Sequence, residues 1–402
     1  MYSMKTNSVY CGDCAEVLRY FPQDSVDLIY VDPPFFSNKQ YEILWGNGYE
    51  LRAFQDRWRG GIRNYIAWME PKIRECRRVL KNTGSMYLHC DYHASHRLRE
   101  LMDKIFGENN FRNEIIWFYR RWPAGREQFQ RNHDNIYFYT KSDNGTHIFN
   151  PQYVEPTSET LKRWGRQKQR VTFNKKGKRK PTMELKEKSK GVLMPDVWQI
   201  SIIAPSANER LGYPTQKPEA LLERIITASS NPMDVVLDPM CGGGTTIGVA
   251  HKLGRRWIGI DVSPTACKIM VKRMRKLKAK ITENDIIGLP KSVEELKTME
   301  PFEFQNWVVQ KLFARSTRKK VGDMGIDGWM LNGRPIQVKQ SENIGRNVID
   351  NFETAMRRQQ KIKGIIIAFS FGKGAYEEVA RTKQEDGLEI ELKTVEQLLK
   401  ET

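Results

Sequence analysis

Three stretches of the 402-residue sequence bring together side chains that do chemistry. The first is Asp32-Pro33-Pro34-Phe35, which ends the apolar run Val26-Asp27-Leu28-Ile29-Tyr30-Val31. A β-rich run that stops on an acid, two prolines and an aromatic predicts a strand delivering a rigid polar turn to a pocket rim, because proline fixes φ and removes backbone donors. The turn reads as a grip on a flipped-out nucleobase, although four such residues alone are more often an ordinary Asp-Pro turn capping a strand. The second stretch runs from Val235-Val236-Leu237-Asp238 through Pro239-Met240-Cys241-Gly242-Gly243-Gly244 and Thr245 to a strand ending on Asp261. Glycines let a backbone come close to a ligand beneath a helix N-terminus, and a carboxylate ending the next strand can accept both ribose hydroxyls, which points to a nucleoside-bearing cofactor. The third stretch is Gly325-Ile326-Asp327-Gly328-Trp329, an Asn332-Gly333 turn and Pro335-Ile336-Gln337-Val338-Lys339-Gln340. The turn marks a hairpin, and strand alternation puts Gln337 and Lys339 on one side, near where Asp327 arrives.

Positioning the first stretch requires a sheet. Residues 8–31 read strand, turn, helix, strand, with Gly12-Asp13 at the turn, and such alternation suggests parallel strands. A Trp- and Arg-rich helix is expected over 54–80, followed by a strand at 85–90, a helix at 96–105 and strands at 114–119 and 135–140. The α/β rhythm fades between about 142 and 205. It returns with a helix over 218–229, the βαβ unit around the glycine loop and a basic helix over 266–280. Phe304, Trp307, Val308 and Leu312 then recur at helical spacing and open a third region. The expected units are a catalytic half, 1–142; a basic insertion, 143–206; a cofactor-binding half, 207–282; a linker, 283–298; and a small α/β domain, 299–402. No internal repeat is found.

Composition narrows the partners. Hydrophobic residues make up 39% and charged residues 28%, the balance of a globular chain, and the longest apolar stretches are of strand length. No membrane span or signal-type apolar core is seen, which predicts a cytosolic protein whose six cysteines are reduced. The formal net charge of +18 favours a polyanion, with nucleic acid first. Half of that excess lies between 151 and 190, where thirteen Lys and Arg face four Glu. Lys162, Arg163, Arg166, Lys168, Arg170, Lys175 and Lys176 lie there among Tyr153, Trp164 and Phe173, a mixture that neutralises phosphates and stacks on bases; a solvated insertion is the alternative.

Taken in order, Gly12-Asp13, Asp32-Pro33-Pro34-Phe35, Tyr213-Pro214-Thr215-Gln216-Lys217-Pro218, the loop from Asp238 to Thr246, and Asp261 resemble the β class of DNA amino-methyltransferases over about residues 7–280. The resemblance implies a permuted Rossmann-like fold that binds S-adenosylmethionine, flips a base out of double-stranded DNA and methylates an exocyclic amine. It assigns Asp32 and the Pro33 carbonyl to the amine N–H groups and Phe35 to stacking on the base. Asp238, Pro239, Cys241, Gly242, Gly244 and Thr245 fall in the cofactor cradle and Asp261 at the ribose. Thr215 and Lys217 close the pocket, and Asp13 stands at its wall or caps a helix. Asp in place of Ser before Pro-Pro leans towards adenine N6 over cytosine N4, and Phe35 replaces the family's commoner Tyr. Dimers are frequent in the class.

Residues 299–402 resemble the Mrr-like branch of the PD-(D/E)-x-K nucleases through Asp327 and Gln337-Val338-Lys339. That resemblance implies a Mg²⁺ held by Asp327 and Gln337, with Lys339 orienting water or stabilising the transition state. Glu303 beside Gln305 stands where the branch often carries another acid. Two functions follow: restriction and modification in one chain, or a methyltransferase whose last domain only binds DNA or a partner. An RNA methyltransferase ranks behind both. Cys11 with Cys14, and His89 with His93, are spaced like metal ligands but lack the four-ligand pattern of a structural zinc site.

Overall fold

The computed structural model describes residues 3–37, 40–44, 50–55, 61–121, 127–166, 170–182, 188–204, 206–207, 209–211, 213, 215–312, 314–316, 325–330 and 332–400. An eight-stranded sheet forms the first unit. Its strands are β1 (Ser8–Cys11), β2 (Val26–Val31), β3 (Leu80–Cys90), β4 (Phe111–Phe118), β5 (His133–Thr140), β6 (Val197–Gln199), β7 (Val235–Asp238) and β8 (Arg256–Asp261). They lie in the order β1-β8-β7-β2-β3-β5-β4-β6, with only β5 running against the rest.

Alternation along the strands sorts the core into two layers, as a two-residue repeat requires. Leu28 and Tyr30 of β2 enter one cluster with Val236, while Ile29 and Val31 enter the other with Leu237. Helices α1 (Cys14–Leu18), α2 (Gly61–Val79) and α3 (Ser95–Phe106) cover the second layer through Val17, Ile73 and Leu98. The first is covered by α4 (Glu219–Ser229), α5 (Thr245–Lys252) and α6 (Pro264–Lys276) through Leu222, Ile247 and Met270. Each fully buried Leu or Ile contributes about 1.5–3 kcal/mol of apolar burial. Asp27, buried inside β2, is compensated by Lys81 Nζ at 2.7 Å and the Val235 amide at 2.9 Å.

One expectation changes. The helix expected over 54–80 begins at Gly61, which sits at φ +72 where a right-handed helix cannot run, and residues 50–55 instead pair with Gln40–Leu44 as an antiparallel ribbon. Within the residues of the basic insertion, a helix, Ser158–Trp164, and a hairpin, Arg170–Phe173 with Arg179–Thr182, precede β6, which extends the main sheet beside Ile116–Phe118. Beyond α6, the Ile287 carbonyl accepts from the Cys11 amide and the Ile287 amide donates to the Val9 carbonyl.

The third region forms a five-stranded sheet of β9 (Arg315–Ser316), β10 (Gly328–Trp329), β11 (Pro335–Val338), β12 (Lys363–Ala368) and β13 (Glu389–Thr394), in that order. The turn at Asn332-Gly333 makes β10 and β11 antiparallel, as its dipeptide predicts, with Gly333 at φ +77. Ile366 packs on α8 (Arg346–Arg358) through Ile349 and Phe352, whereas Ile365 and Ile367 join Phe304 and Trp307 of α7 (Pro301–Lys311). The mixed α/β class expected for both parts is what the chain adopts.

Candidate active site

Four adjacent parallel strands, β1, β8, β7 and β2, each end at or just before an acid. In that order the acids are Asp13, Asp261, Asp238 and Asp32. They line one open cleft, about 1030 Å³ with the solvent at its mouth included, with Phe35, Thr215, Lys217 and the glycine loop. The catalytic turn and the cofactor loop expected from sequence therefore meet in a single pocket, at the carboxyl ends of the strands where open α/β sheets bind ligands.

Asp32 is held asymmetrically. Lys217 Nζ donates to its Oδ2 at 2.5 Å, while Oδ1 is buried and has no hydrogen-bond partner among the described residues. Lys217, 7% exposed, also lies 4.8 Å from the centre of the Phe35 ring, a cation–π contact that steadies the aromatic. Asp13 proves to be the N-cap of α1: its Oδ1 accepts from the Ala15 amide at 2.8 Å and its Oδ2 from Lys72 Nζ at 2.7 Å.

The two central acids accept only neutral donors among the described residues. Asp238 takes the Met240 amide at 3.1 Å and the Thr246 hydroxyl at 2.5 Å; Asp261 takes the Gly242 amide at 2.8 Å and the Ser263 amide at 2.9 Å. Burial pushes the Asp238 carboxyl up to about 7, with the charges of Asp32 and Asp261 adding to it, and burial lifts Asp261 to about 6. Carboxylates short of positive partners fit a cationic ligand.

The loop itself is shaped by close approach. Gly242 has φ +50, and a Cβ there would stand 2.8 Å from Tyr213 Cε1. Gly244, at φ +76, caps the start of α5. Arg273 donates to the Gly243 carbonyl at 2.8 Å and fixes the loop from below. Thr245, Pro239 and Cys241 line the pocket; burial drives the Cys241 thiol well above its ordinary value, so it stays protonated and offers no nucleophile.

Several pocket residues escaped the sequence. Lys72 and Trp68 sit on α2 in a helical pattern that reads as a surface, yet Lys72 is 6% exposed. At the ends of β4 and β5, Arg121 covers the Tyr119 ring at 4.6 Å and Arg131 the Tyr92 ring at 4.0 Å, a basic and aromatic rim outside the insertion. Within the insertion, Lys162, Arg166, Lys175 and Lys176 are exposed. Asn174 Oδ1 accepts from the amides of Lys176 and Lys178, bracing the hairpin turn. Lys168 and the side chains of Arg163 and Arg170 lie outside the described residues.

In the third region Asp327 Oδ2 accepts from the Val338 amide at 2.8 Å, and its Oδ1 from Gln305 Nε2 at 3.2 Å. Gln337 is 2% exposed and its Oε1 is buried without a hydrogen-bond partner among the described residues. Such a carbonyl oxygen suits a hard cation. Lys339, two residues along the strand direction, has its amide on the Ile367 carbonyl. Of the two α7 residues considered beside this site, Gln305 reaches it. Glu303 has Oε2 enclosed without a hydrogen-bond partner among the described residues, and burial, then the charges of Asp261 and Glu300, lifts its carboxyl to about 8.

Comparison with known proteins agrees with this division. Residues 26–272 match the N6/N4 family described as DNA methylase, and residues 296–401 match the family described as restriction endonuclease. The chain is 30% identical over 295 residues to the type II methyltransferase M.HinfI of Haemophilus influenzae, covering 70% of this chain and 72% of that one. It is also 30% identical over 276 residues to the DNA adenine methyltransferase YhdJ of Escherichia coli K12, covering 68% and 84%. The solved PvuII DNA methyltransferase, cytosine-N4-specific, aligns over 70% of this chain and 90% of its own at 18% identity and a TM-score of 0.46. The chain belongs to the N6/N4 DNA methylase family, and it joins that methylase to a restriction-endonuclease-type domain.

Proposed function

We propose that the chain transfers a methyl group from S-adenosylmethionine to the N6 of a flipped adenine in double-stranded DNA at a specific site. The observation carrying this reading is the divided Asp32 carboxylate in the shared pocket: Lys217 donates to one oxygen, and the other is buried with no hydrogen-bond partner among the described residues, which leaves it as the acceptor for an amine N–H. Asp32 Oδ1 and the Pro33 carbonyl orient the amine and withdraw its lone pair from the ring, Pro34 keeps the turn rigid, and Phe35 stacks on the base. S-adenosylmethionine, when bound, supplies an electrophilic methyl on a sulfonium centre. Asp261 accepts from its ribose, Asp238 faces its positive charge, and Thr215 with the loop at Gly242 to Thr245 encloses it. The exposed Lys162, Arg166, Lys175 and Lys176, together with Arg163, Lys168 and Arg170, serve the DNA backbone. The acid before Pro-Pro and the likeness to an adenine methyltransferase favour adenine over cytosine.

The test is incubation of the protein with DNA and labelled S-adenosylmethionine, followed by nucleoside analysis and mapping of the marked sites. N6-methyladenine is expected. N4-methylcytosine alone refutes the choice of base, and no transfer by folded protein refutes the reading.

For the last domain, the Gln337 oxygen left without a partner among the described residues supports a Mg²⁺-dependent endonuclease, with Asp327 as the second ligand and Lys339 assisting the attacking water. The alternative, a DNA- or partner-binding module, draws on the Asp327 carboxylate being already engaged by Gln305 and Val338. Cleavage of methylated and unmethylated DNA with Mg²⁺ separates the two. Asp327→Ala with Lys339→Ala should abolish cutting; cutting unchanged by the pair refutes the site, and no cutting by the wild type on either DNA supports the module.

A further inference from the structure

Behind the Asp32 turn lies a buried polar chain that the reading above leaves unused. His89, on β3, has no exposed surface. Its Nδ1 is 2.7 Å from the Tyr30 hydroxyl and 3.9 Å from Asp32 Oδ1. Its Nε2 is 3.3 Å from Asp134 Oδ2, and the Tyr119 hydroxyl donates to Asp134 Oδ1 at 2.8 Å. The Phe35 ring lies 5.4 Å from the imidazole, tilted, and Trp117 meets it edge-on at 5.5 Å.

A carboxylate only accepts, so the imidazole presents an Nε2 hydrogen to Asp134. The Tyr30 hydroxyl, kept protonated by burial and by the carboxylates around it, closes the other side of the ring at Nδ1.

We propose that His89 is a positioning residue for methyl transfer: clamped between Asp134 and Tyr30, its imidazole holds the Asp32 turn and the Phe35 ring in the geometry that presents Asp32 Oδ1 to a substrate amine N–H. The inference rests on Asp32 being the amine acceptor.

The test compares wild type, His89→Gln and His89→Met as full chains, with unmodified genomic DNA and labelled S-adenosylmethionine, at neutral pH. Glutamine offers an N–H to Asp134 and an oxygen to Tyr30, and it should hold kcat within about tenfold of wild type. Methionine should lower kcat on the order of 100-fold with KM for S-adenosylmethionine little changed, as misplacement of a reacting group does. A Met variant as fast as wild type, or a Gln variant as slow as Met, would each overturn the proposal. Should the Met variant fail to fold, Tyr30→Phe, which removes the clamping hydroxyl and keeps the ring, takes its place, and a kcat equal to wild type there overturns the proposal. Asp32→Asn is run alongside: full activity there overturns the role of Asp32 itself, whereas an inactive Asp32→Asn beside an unaffected His89→Met overturns only that of His89.

Discussion

Replacing Asp238 by Asn should stabilise the protein and weaken its hold on the methyl donor at the same time. Asp238 is 2% exposed, and its carboxyl sits at about 7 against 3.8 for the ordinary group. A carboxyl whose folded value is raised binds more protons in the native state, so stability falls as pH climbs from the unfolded value through the folded one. Applying that linkage to the two values gives a loss of about 2–3 kcal/mol between about pH 5 and about pH 8 from this group alone. Asparagine removes the titration while keeping an oxygen for the Met240 amide, and its N–H₂ can donate to the Thr246 hydroxyl.

Urea unfolding of both proteins at the two pH values isolates the effect. Asp261 and Glu303 have raised values of the same sign and act in both proteins, so the difference between the two pH dependences belongs to Asp238. Cofactor binding gives a second readout. A cation entering beside Asp238 drives its proton off, so wild type near neutral pH should release up to about half a proton per S-adenosylmethionine, measured calorimetrically in buffers of different ionisation enthalpy, and the Asn variant less. Equal pH slopes in the two proteins, or an Asn variant less stable at the higher pH, would refute the assignment of Asp238 as a strained, cation-seeking acid.

Lys217→Met strands Asp32 in a buried setting, and loss of one partner of such a pair should cost on the order of 3 kcal/mol in unfolding free energy. Adding Asp32→Asn should recover much of that, and additive single effects in the double-mutant cycle would argue against the pair. Gly242→Ala drives a methyl into Tyr213 from a left-handed backbone, so S-adenosylmethionine affinity by calorimetry should fall at least about tenfold. Gly254→Ala, at φ +74 with nothing within 4 Å, should cost only about 1 kcal/mol of stability and leave affinity unchanged; an equal loss of affinity in both would refute the steric account.

The parts legible in the sequence are those whose geometry is local. The helix Thr245–Lys252 follows its glycine loop because Gly244 supplies a left-handed cap, and the hairpin at Asn332-Gly333 follows from its turn. Hydrophobic alternation sorted Ile336 and Val338 to the core, and Asp327 arrives on the neighbouring amide. Long-range pairings were less legible. The motif placed Lys217 at the pocket but not on Asp32, 185 residues away, and Lys72, which meets Asp13 across 59, lies on a helix whose lysines look solvent-facing by composition. His89 and Asp134 become neighbours only because β5 runs antiparallel beside β3, a pairing no residue in either strand announces. The early start predicted for α2 failed for a local reason, since the Gly60-Gly61 pair stood in the sequence as a break and the Trp and Arg pattern overrode it.

The row of acids gives the pocket its electrostatic logic. Neighbouring strands lie about 4.8 Å apart, so carboxylates at the ends of β1, β8, β7 and β2 cannot all stay charged in a buried cleft without compensation. The outer two are compensated within the chain, Asp13 by Lys72 and Asp32 by Lys217, each a lysine drawn into the interior. The inner two, Asp261 and Asp238, have only amides and a hydroxyl, and their raised carboxyls record the deficit. A ligand carrying positive charge and ribose hydroxyls supplies what those two lack, whereas an anionic nucleotide phosphate would add to the repulsion. On the proposed function, the uneven placing of the two lysines suits a cationic nucleoside between Asp261 and Asp238, with Asp32 held by Lys217 beside it to meet an amine.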